Sequence, residues 1–424
     1  MNLKRRLARL GAAPPAGRGE TETTDPRAAE ALGPSPPTGL EELRARMASI
    51  LGKPAPSRRV PADPTLTSLP FQREDTPLGP LYRRVERLRP SHHAGRVPID
   101  AARATKSEVL ALLALDASLA NVDFGRALYF DTETTGLGGA GAVAFLVGTC
   151  RFEPDGTTLM EQLLLRQPGE ERPVLARFAE LVGEASALVS YNGKAFDWPL
   201  LQGRYVMNRL PALPDRPHLD LLHVGRRLHR ARLGACRLVT LESEVLGFVR
   251  GEDIDGADVP SRYSHFLRTG DEEALQAVVE HNAWDVVSMA ALVGLYGEPL
   301  EALNEHDLVA LAGTYRRAKA FDRAAEAASR AIERGAGPEA LRARARIAKA
   351  RGDRAAALRD FSELARSVED DQVRLELAKL YEHHVKEPLV ALDLARRGTG
   401  EAESDRARRQ ARLERKVERQ RRLK

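Results

Sequence analysis

Asp131 and Glu133 lie in the segment FDTETTGL, directly after the apolar residues ALY. This pattern predicts a strand, and side chains two residues apart on a strand point to the same face. Two carboxylates on one face repel each other, and a divalent cation between them removes the repulsion because hard cations prefer oxygen ligands. The alternative interpretation is a pair of solvated acids on an edge strand.

A third acid, Asp197, lies in SYNGKAFDWPLL at 190–201. The segment predicts a strand that ends at Tyr191, a turn at the Asn-Gly pair, and a helix with Pro199 in its first turn. Asp197 then lies near the start of this helix. It is interpreted either as the N-cap of the helix or as a further member of an acid cluster.

The segment VVEHNAWDVVSMAAL at 278–292 predicts a helix that carries His281 and Asp285. Residues four apart on a helix share a face. The valines and Met289 around the pair indicate that the helix is buried, and a buried acid without a partner is costly. A bound cation would neutralise Asp285, whereas the alternative interpretation is a His–Asp contact on the surface.

The elements around these residues predict a mixed sheet covered by helices. Between 126 and 165, three short apolar runs are separated by Gly and Asp-Gly turns, which predicts three consecutive antiparallel strands. Helix and strand signals then alternate, with a helix over 171–184, a strand at ALVSYNG, a helix near 197–209 and further helices to about 296. This order predicts an α/β domain with helices on both faces of the sheet.

Beyond residue 300 the strand signals stop, and 305–397 predicts helical hairpin repeats. The Leu-Ala-x-x-Tyr pattern that contains Tyr315 returns 66 residues later around Tyr381, which is two steps of 33. A period near 34 resembles that of tetratricopeptide repeats, and such repeats commonly bind protein partners on a concave surface. The tail at 398–424 is rich in Lys and Arg, and it is interpreted either as a nucleic-acid contact or as an amphipathic helix.

The residues before the predicted sheet have a different composition. Residues 1–75 are rich in Pro, Ala, Gly, Ser and charge, which predicts a mostly disordered segment. Within it, the apolar spacing over 39–53 fits either a short docking helix or a solvated helix. Residues 76–125 are predicted to be a connecting segment, with helical character from Lys106 onward.

Composition limits the kinds of site and the cellular locations that are compatible with this chain. Cys150 and Cys236 lie far apart and in no metal-ligand spacing, which argues against a zinc site and a disulfide framework and favours a reducing cytoplasm. The basic start lacks the apolar core of a signal peptide, and no stretch approaches the roughly 18 apolar residues that span a bilayer. The net charge of +5 permits a nucleic-acid partner without requiring one. We therefore expect a soluble, cytoplasmic protein without membrane contact.

The motifs D-x-E-T-T-G-L, N-x-x-x-F-D and H-x-x-x-D occur here in the order that resembles the DEDD exonucleases of the ribonuclease H-like superfamily. The stretches HLDLLHVGRRL, CRLVTLESEVLGFVRGEDIDG and VPSRY are similar to the YprB-like group of predicted bacterial exonucleases, which can carry tetratricopeptide repeats after the nuclease. The resemblance implies a ribonuclease H-like 3′–5′ exonuclease domain over 126–297, followed by an all-α repeat domain.

The resemblance also implies a two-metal site. Asp131, Glu133, Asp197 and Asp285 would bind two Mg²⁺ or Mn²⁺ ions. Members of this family usually carry either a Tyr four residues before the last Asp or a His five residues before it. His281 lies four residues before Asp285, so it has the position of the Tyr and the chemistry of the His. It would take a proton from water or orient that water. The residues implied to contact the terminal nucleotide are Thr134, Thr135, Gly136, Leu137 and Asn192, with Leu137 as a wedge against the base.

The predicted function is metal-dependent 3′–5′ hydrolysis of phosphodiester bonds in DNA or RNA. One alternative is a non-catalytic scaffold of the same fold that recruits protein or nucleic-acid partners. A second alternative is a structure-specific endonuclease on that fold. The motifs do not choose between DNA and RNA.

Overall fold

The computed structural model of the chain describes residues 68–136, 141–251 and 253–423. The predicted disorder over residues 1–67 and the predicted helix over 39–53 lie outside these residues. The predicted wedge Leu137 also lies outside them.

Nine strands and fifteen α-helices form within the described residues. The strands are β1 (Gln72–Thr76), β2 (Gly79–Leu88), β3 (His93–Ala94), β4 (Val97–Pro98), β5 (Leu128–Thr134), β6 (Ala144–Phe152), β7 (Thr158–Leu164), β8 (Leu188–Ser190) and β9 (His218–Asp220). The helices are α1 (Ser107–Ala114), α2 (Glu171–Glu184), α3 (Asp197–Met207), α4 (Leu221–Leu233), α5 (Leu238–Leu241), α6 (Val259–Thr269), α7 (Glu273–Gly297), α8 (Pro299–Ala302), α9 (Glu305–Arg317), α10 (Phe321–Glu333), α11 (Pro338–Arg351), α12 (Arg354–Ser367), α13 (Asp371–Leu380), α14 (Pro388–Arg396) and α15 (Glu403–Arg422). Short 3₁₀ segments lie at Ile99–Ala104, Ala117–Leu119 and Phe124–Arg126, and π-helical segments lie at Glu242–Leu246 and Tyr381–Val385.

Seven of the strands form one mixed sheet in the order β1-β2-β7-β6-β5-β8-β9. The predicted meander is confirmed, because β5, β6 and β7 pair antiparallel in sequence order. On the other side of β5, β8 and β9 add parallel to it, which requires the crossover helices α2 and α3 between them. The predicted mixed sheet followed by an all-α region is therefore confirmed.

Helices cover both faces of the sheet, and β5 shows how its residues divide between them. Tyr129 packs in the core that includes residues of α1, α4 and α7, whereas Phe130 packs with residues of α2 and α3. Since side chains alternate along a strand, Asp131 and Glu133 belong to the α7 face and Thr132 to the α3 face.

The segment from Gln72 to Leu88 differs from its prediction as part of a disordered region and a connecting segment. It supplies the edge strands β1 and β2, and β2 pairs antiparallel with β7. Phe71 and Tyr82 are buried in the core next to α6 and α7. Polar composition favours disorder, but the unpaired backbone groups along β7 provide a partner for β2 that local composition does not reveal.

The C-terminal region consists of packed helices. Helices α9, α11 and α13 begin at Glu305, Pro338 and Asp371, so their starts are 33 residues apart. Each is followed by a second helical segment, and α9 contacts α10 as α11 contacts α12. The spacing agrees with the predicted repeat period, and the assignment to tetratricopeptide repeats stays a prediction.

The basic tail forms helix α15, which packs on α14 through Leu413 and Val417. Much of its charge is used within the chain. Arg412 and Lys416 both pair with the buried Glu382 of the second π-helical segment, each at 2.8 Å. These contacts favour the amphipathic-helix interpretation of the tail over that of a freely exposed basic patch.

Helix α7 has 25 residues and is the longest in the described part of the chain. It carries Glu280, His281 and Asp285 in its first half. In the described ranges, no helix combines the length and the apolar character needed to cross a lipid bilayer.

Candidate active site

The site is built on the second half of β5, opposite the first half of α7. Asp131 and Glu133 lie on the face of β5 that α7 covers, and the pairing with β6 shifts register between Glu133 and Thr134. Both acids keep a partly exposed side chain. The irregular end of β5 therefore leaves two carboxylates accessible at one place on an otherwise buried strand.

Asn282 connects α7 to this strand. Its Nδ2 donates to Asp131 Oδ2 at 3.0 Å, and its Oδ1 accepts from Gln162 Nε2 at 3.0 Å. Gln162 lies on β7, two strands away, and Gly148 of β6 pairs with both Asp131 and Gln162 in the sheet. A Cβ at Gly148 would lie 2.1 Å from Asn282 Oδ1. The missing side chain at Gly148 is what lets Asn282 reach across β6 and orient Asp131.

Gly148→Ala is expected to destabilise the chain by about 1–3 kcal/mol, because the new methyl group overlaps the buried carboxamide of Asn282, which is hydrogen-bonded at both its oxygen and its nitrogen. The measurement is the free energy of unfolding in urea. The control is Gly203→Ala in α3, where a Cβ meets no heavy atom within 4 Å. That change is expected to stabilise the helix by about 0.5–1 kcal/mol. Equal stability of the two variants would contradict the assigned role of Gly148.

Asp197 approaches the acids from the α3 side. It is the first residue of α3, after the cap residue Phe196, and its side chain is buried. Thr132 Oγ1 donates to Asp197 Oδ1. Asp197 is therefore not the N-cap of the helix, and Thr132 ties it to the strand segment between Asp131 and Glu133.

The loop that leads to Asp197 is fixed by Asp220, the N-cap of α4. Asp220 Oδ1 accepts from the backbone N–H groups of Asn192 and Leu222 at 2.9 and 3.0 Å, and its Oδ2 accepts from the N–H of Lys194 at 3.3 Å. Asn192 adopts the left-handed conformation with φ 66°. These bonds fix the turn that sets the start of α3, and hence the position of Asp197.

The acids are close enough to perturb one another electrostatically. Loss of hydration raises the pKa of Asp131 well above its usual value, and the negative charges of Asp285, Asp197 and Glu133 add to the effect. The same causes, with Asp285 as the leading charge, raise the pKa of Glu133 to about 8. Loss of hydration also raises the pKa of Asp197 to about 6, although the bond from Thr132 opposes it. The structure thus brings the four predicted acids into one electrostatic cluster.

Asp285 has a partner that the sequence did not predict. Arg250 Nη2 donates to Asp285 Oδ1, and only 2% of the Arg250 side chain is exposed. Asp285 therefore has a counter-charge within the chain, and its role as a metal ligand stays a prediction. A guanidinium from the loop before α6 supplies that charge, and its position depends on tertiary packing.

His281 lies beside the same acids. Its Nδ1 donates to Asp253 Oδ1 at 2.6 Å and also lies 3.0 Å from Arg250 Nη1, while its Nε2 lies 3.7 Å from Asp285 Oδ2. Burial opposes protonation of the ring, but the charges of Asp285, Asp253 and Glu133 outweigh it and raise the pKa of His281. The ring is thus held by Asp253 with its second nitrogen on the side of Asp285.

Four carboxylates form a donor set that suits hard cations such as Mg²⁺ or Mn²⁺. In the part of the chain that the structure describes, no three His, Cys, Asp or Glu side chains already stand placed to hold a metal ion. Asp197 and Asp285 each commit one oxygen to Thr132 and Arg250, so their second oxygens are the ones available to a cation. The single guanidinium leaves an excess of negative charge, and the donor types therefore fit a divalent metal.

Of the residues predicted to contact nucleic acid, Thr134 ends β5, Thr135 and Gly136 follow it, and Asn192 lies in the loop before α3. Thr134 Oγ1 donates to Gly136 O at 2.8 Å, and Thr135 exchanges two hydrogen bonds with Val143. Gly136 does not adopt the left-handed conformation that favours glycine, and a Cβ there would meet no heavy atom of the described residues within 4 Å. Asn192 is exposed in the loop before α3.

The site residues that were not predicted as such include Gln162, Arg250, Asp253 and Asn282. Gly148 could have indicated the close approach of Asn282, because an isolated glycine in an apolar strand often marks a backbone that another element approaches. No local pattern marks Arg250, which lies 35 positions before Asp285 in a turn-rich segment. Asp253 lies in the segment DIDGAD, a pattern typical of a turn.

The chain matches known proteins in sequence. Residues 128–296 match the model of the RNase H superfamily, which confirms the ribonuclease H-like part of the predicted fold class. Over 288 residues the chain is 36% identical to "Uncharacterized protein YprB" of Bacillus subtilis (strain 168), and the alignment covers 65% of this chain and 69% of YprB.

Among solved structures, the family B DNA polymerase from the hyperthermophilic archaeon Pyrobaculum calidifontis matches with a TM-score of 0.31 and 18% sequence identity. The match covers 45% of this chain and 28% of the polymerase chain, so the chain spans less than a third of that protein. From its identity to YprB over more than two thirds of that protein, the chain belongs to the YprB family, and it carries an RNase H superfamily domain.

Proposed function

We propose that this protein is a metal-dependent 3′–5′ exonuclease that hydrolyses phosphodiester bonds of nucleic acid with two divalent cations, Mg²⁺ or Mn²⁺. The observation that carries the proposal is the meeting of Asp131, Glu133, Asp197 and Asp285 around one end of β5, with His281 beside them. The raised pKa values of the first three acids support it, because burial, followed by the neighbouring carboxylates, disfavours their charged forms unless a cation binds.

Asp131 and Glu133 are the proposed central ligands, since they share one face of β5 and keep accessible oxygens. Asp197 and Asp285 would complete the donor set with the oxygens that do not face Thr132 and Arg250. When bound, the two cations would lower the pKa of a water and stabilise charge on the leaving oxygen.

His281 is the proposed group that takes a proton from the attacking water. Its Nδ1 is committed to Asp253, so Nε2 is the atom that would accept the proton. Between substrate turnovers the proton would leave to solvent, because the side chain of His281 keeps 14% exposure.

Thr134, Thr135 and Gly136 are proposed to contact the terminal nucleotide. They follow Glu133 directly, and among the described residues no heavy atom lies within 4 Å of a Cβ built at Gly136. Asn192 is proposed as a contact from the loop before α3, where its side chain is exposed. The helical region from α9 to α14 is proposed to bind a protein partner.

The test is degradation of 3′- and 5′-labelled single- and double-stranded DNA and RNA in the presence of Mn²⁺, alongside a closed circular substrate. We expect Mn²⁺-dependent loss of nucleotides from 3′ ends and no cleavage of the circle. Cleavage of the circle would favour the endonuclease alternative. Absence of any cleavage on all substrates would contradict the nuclease proposal.

The non-catalytic scaffold is a second candidate, and one observation favours it. Asp285 already has a counter-charge in Arg250, so at least one acid does not depend on a metal. Thermal unfolding with Mn²⁺ separates the two candidates. A scaffold predicts no shift in melting temperature, whereas the nuclease predicts a rise that Asp131→Asn removes.

A further inference from the structure

A buried ion pair lies directly behind the acid cluster. Arg250 Nε and Nη2 donate to the two oxygens of Glu242, each at 2.7 Å, and the two side chains are 2% and 0% exposed. The guanidinium also lies 5.5 Å from the centre of the Trp284 ring. A bidentate carboxylate and an aromatic neighbour together fix the plane of a guanidinium, so its remaining N–H groups have fixed directions.

Those remaining N–H groups point at two acids of the site. Nη2 donates to Asp285 Oδ1, and Nη1 donates to Asp253 Oδ2 at 3.2 Å. The other oxygen of Asp253 accepts from Nδ1 of His281. One rigid guanidinium therefore determines the orientation of Asp285 directly, and that of His281 both through Asp253 and through its own Nη1, which lies 3.0 Å from His281 Nδ1.

The arrangement does not block Asp285. Arg250 engages Oδ1 alone, and Oδ2 lies on the side of His281 Nε2. A guanidinium that bonded both oxygens of Asp285 would compete with a metal. The Arg250 guanidinium is anchored by Glu242 and bonds one oxygen, so it restricts rotation of the Asp285 carboxylate and leaves the other oxygen free. Stability alone is a weak reason for such a pair, because buried ion pairs are often no more stabilising than apolar side chains of the same volume.

We propose that Arg250, anchored by Glu242, is a positioning residue that presets Asp285 for metal binding and, through Asp253, presets His281 for proton transfer. The inference rests on the proposed metal-dependent function. Arg250 touches neither substrate nor the reacting atoms in this role. Its contribution is the reduced rotational freedom of two side chains that act on them.

The test uses the full chain with both charges of the pair removed. Arg250→Met alone would leave Glu242 buried without a partner and could unfold the protein, so the variant is Glu242→Gln/Arg250→Met. The matched control is Asp360→Asn/Arg344→Met, which removes another bidentate pair, with both bonds at 2.9 Å, in the helical region. Mn²⁺ affinity is measured by electron paramagnetic resonance of free Mn²⁺, and folding by circular dichroism and thermal unfolding in EDTA.

We expect the control to bind Mn²⁺ as the wild type does. The Glu242→Gln/Arg250→Met variant should fold and bind Mn²⁺ about 10–100-fold more weakly, the usual cost of removing a partner that orients a metal ligand. Asp253→Ala tests separately whether Asp253 orients His281. Mn²⁺ affinity should stay near the wild-type value, while kcat falls about tenfold or more at unchanged KM because Asp253 no longer holds His281.

Two results overturn the positioning role without touching the proposed function. One is a folded Glu242→Gln/Arg250→Met variant that binds Mn²⁺ as tightly as the wild type and degrades nucleic acid at the same rate. The other is tighter Mn²⁺ binding in that variant, which would make Arg250 a competitor of the metal. A wild-type protein that neither binds Mn²⁺ nor cuts nucleic acid removes the proposed function itself, and this inference with it.

Discussion

Asp131→Asn is expected to reduce the rate of nucleic-acid hydrolysis by on the order of 10³-fold or more, because loss of a ligand to a catalytic metal removes several kcal/mol of transition-state stabilisation. The fold should persist. The carboxamide oxygen of Asn can still accept from Asn282 Nδ2, which now donates to Asp131. The measurement is the single-turnover rate on a 3′-labelled strand with Mn²⁺.

The matched control for this prediction is Asp75→Asn. Asp75 is an exposed acid of the edge strand β1 that pairs with Arg73 at 2.8 Å, so its loss should leave the rate unchanged. In EDTA, Asp131→Asn should melt at the same temperature as the wild type or above it, because one of several mutually repelling carboxylates is gone. Wild-type hydrolysis by a folded Asp131→Asn variant would exclude Asp131 from the chemistry.

The metal-free protein is expected to lose stability as pH rises from about 4.5 to about 8. Loss of hydration and the charge of Asp285 raise the pKa of Glu133 from 4.5 to about 8. The folded state therefore holds this proton where the unfolded chain has released it. The stabilisation is complete below the unfolded pKa and is lost as pH passes through the folded pKa, which amounts to a few kcal/mol for such a shift.

The measurement is the free energy of unfolding in urea with EDTA, at several pH values in this window. Glu133→Gln should flatten the dependence, since its side chain carries no ionisable proton. Saturating Mn²⁺ should flatten or reverse it in the wild type, because a bound cation favours the ionised carboxylates. A metal-free wild type that gains stability with rising pH across this window would contradict the clustered-acid interpretation.

Much of the fold was predictable from local sequence patterns. Short apolar runs separated by Gly-containing turns predicted β5 to β7, and the predicted helix over 171–184 coincides with α2 at both ends. Strand period also placed Asp131 and Glu133 on one face, because two-residue periodicity is a property of the backbone itself. Spacing of four on α7 likewise placed His281 beside Asp285.

Other features depend on contacts between distant segments. The edge strands β1 and β2 form from residues whose composition resembles that of a linker. Local composition does not predict them, because the partner strand β7 lies about 80 positions later in the chain. Two cations of α15, Arg412 and Lys416, pair with Glu382 on another helical segment, a contact that composition alone does not reveal.

For the candidate site, the sequence alone determined which acids exist, which strand or helix carries each one, and which of them share a face, because local periodicity sets these relations. The tertiary structure decided that Arg250 compensates Asp285, that Asn282 reaches Asp131 across Gly148, and that Asp220 fixes the turn before Asp197. These contacts join segments 28 to 151 positions apart. Their geometry follows from how the sheet and helices pack, and no pattern within a single segment encodes it.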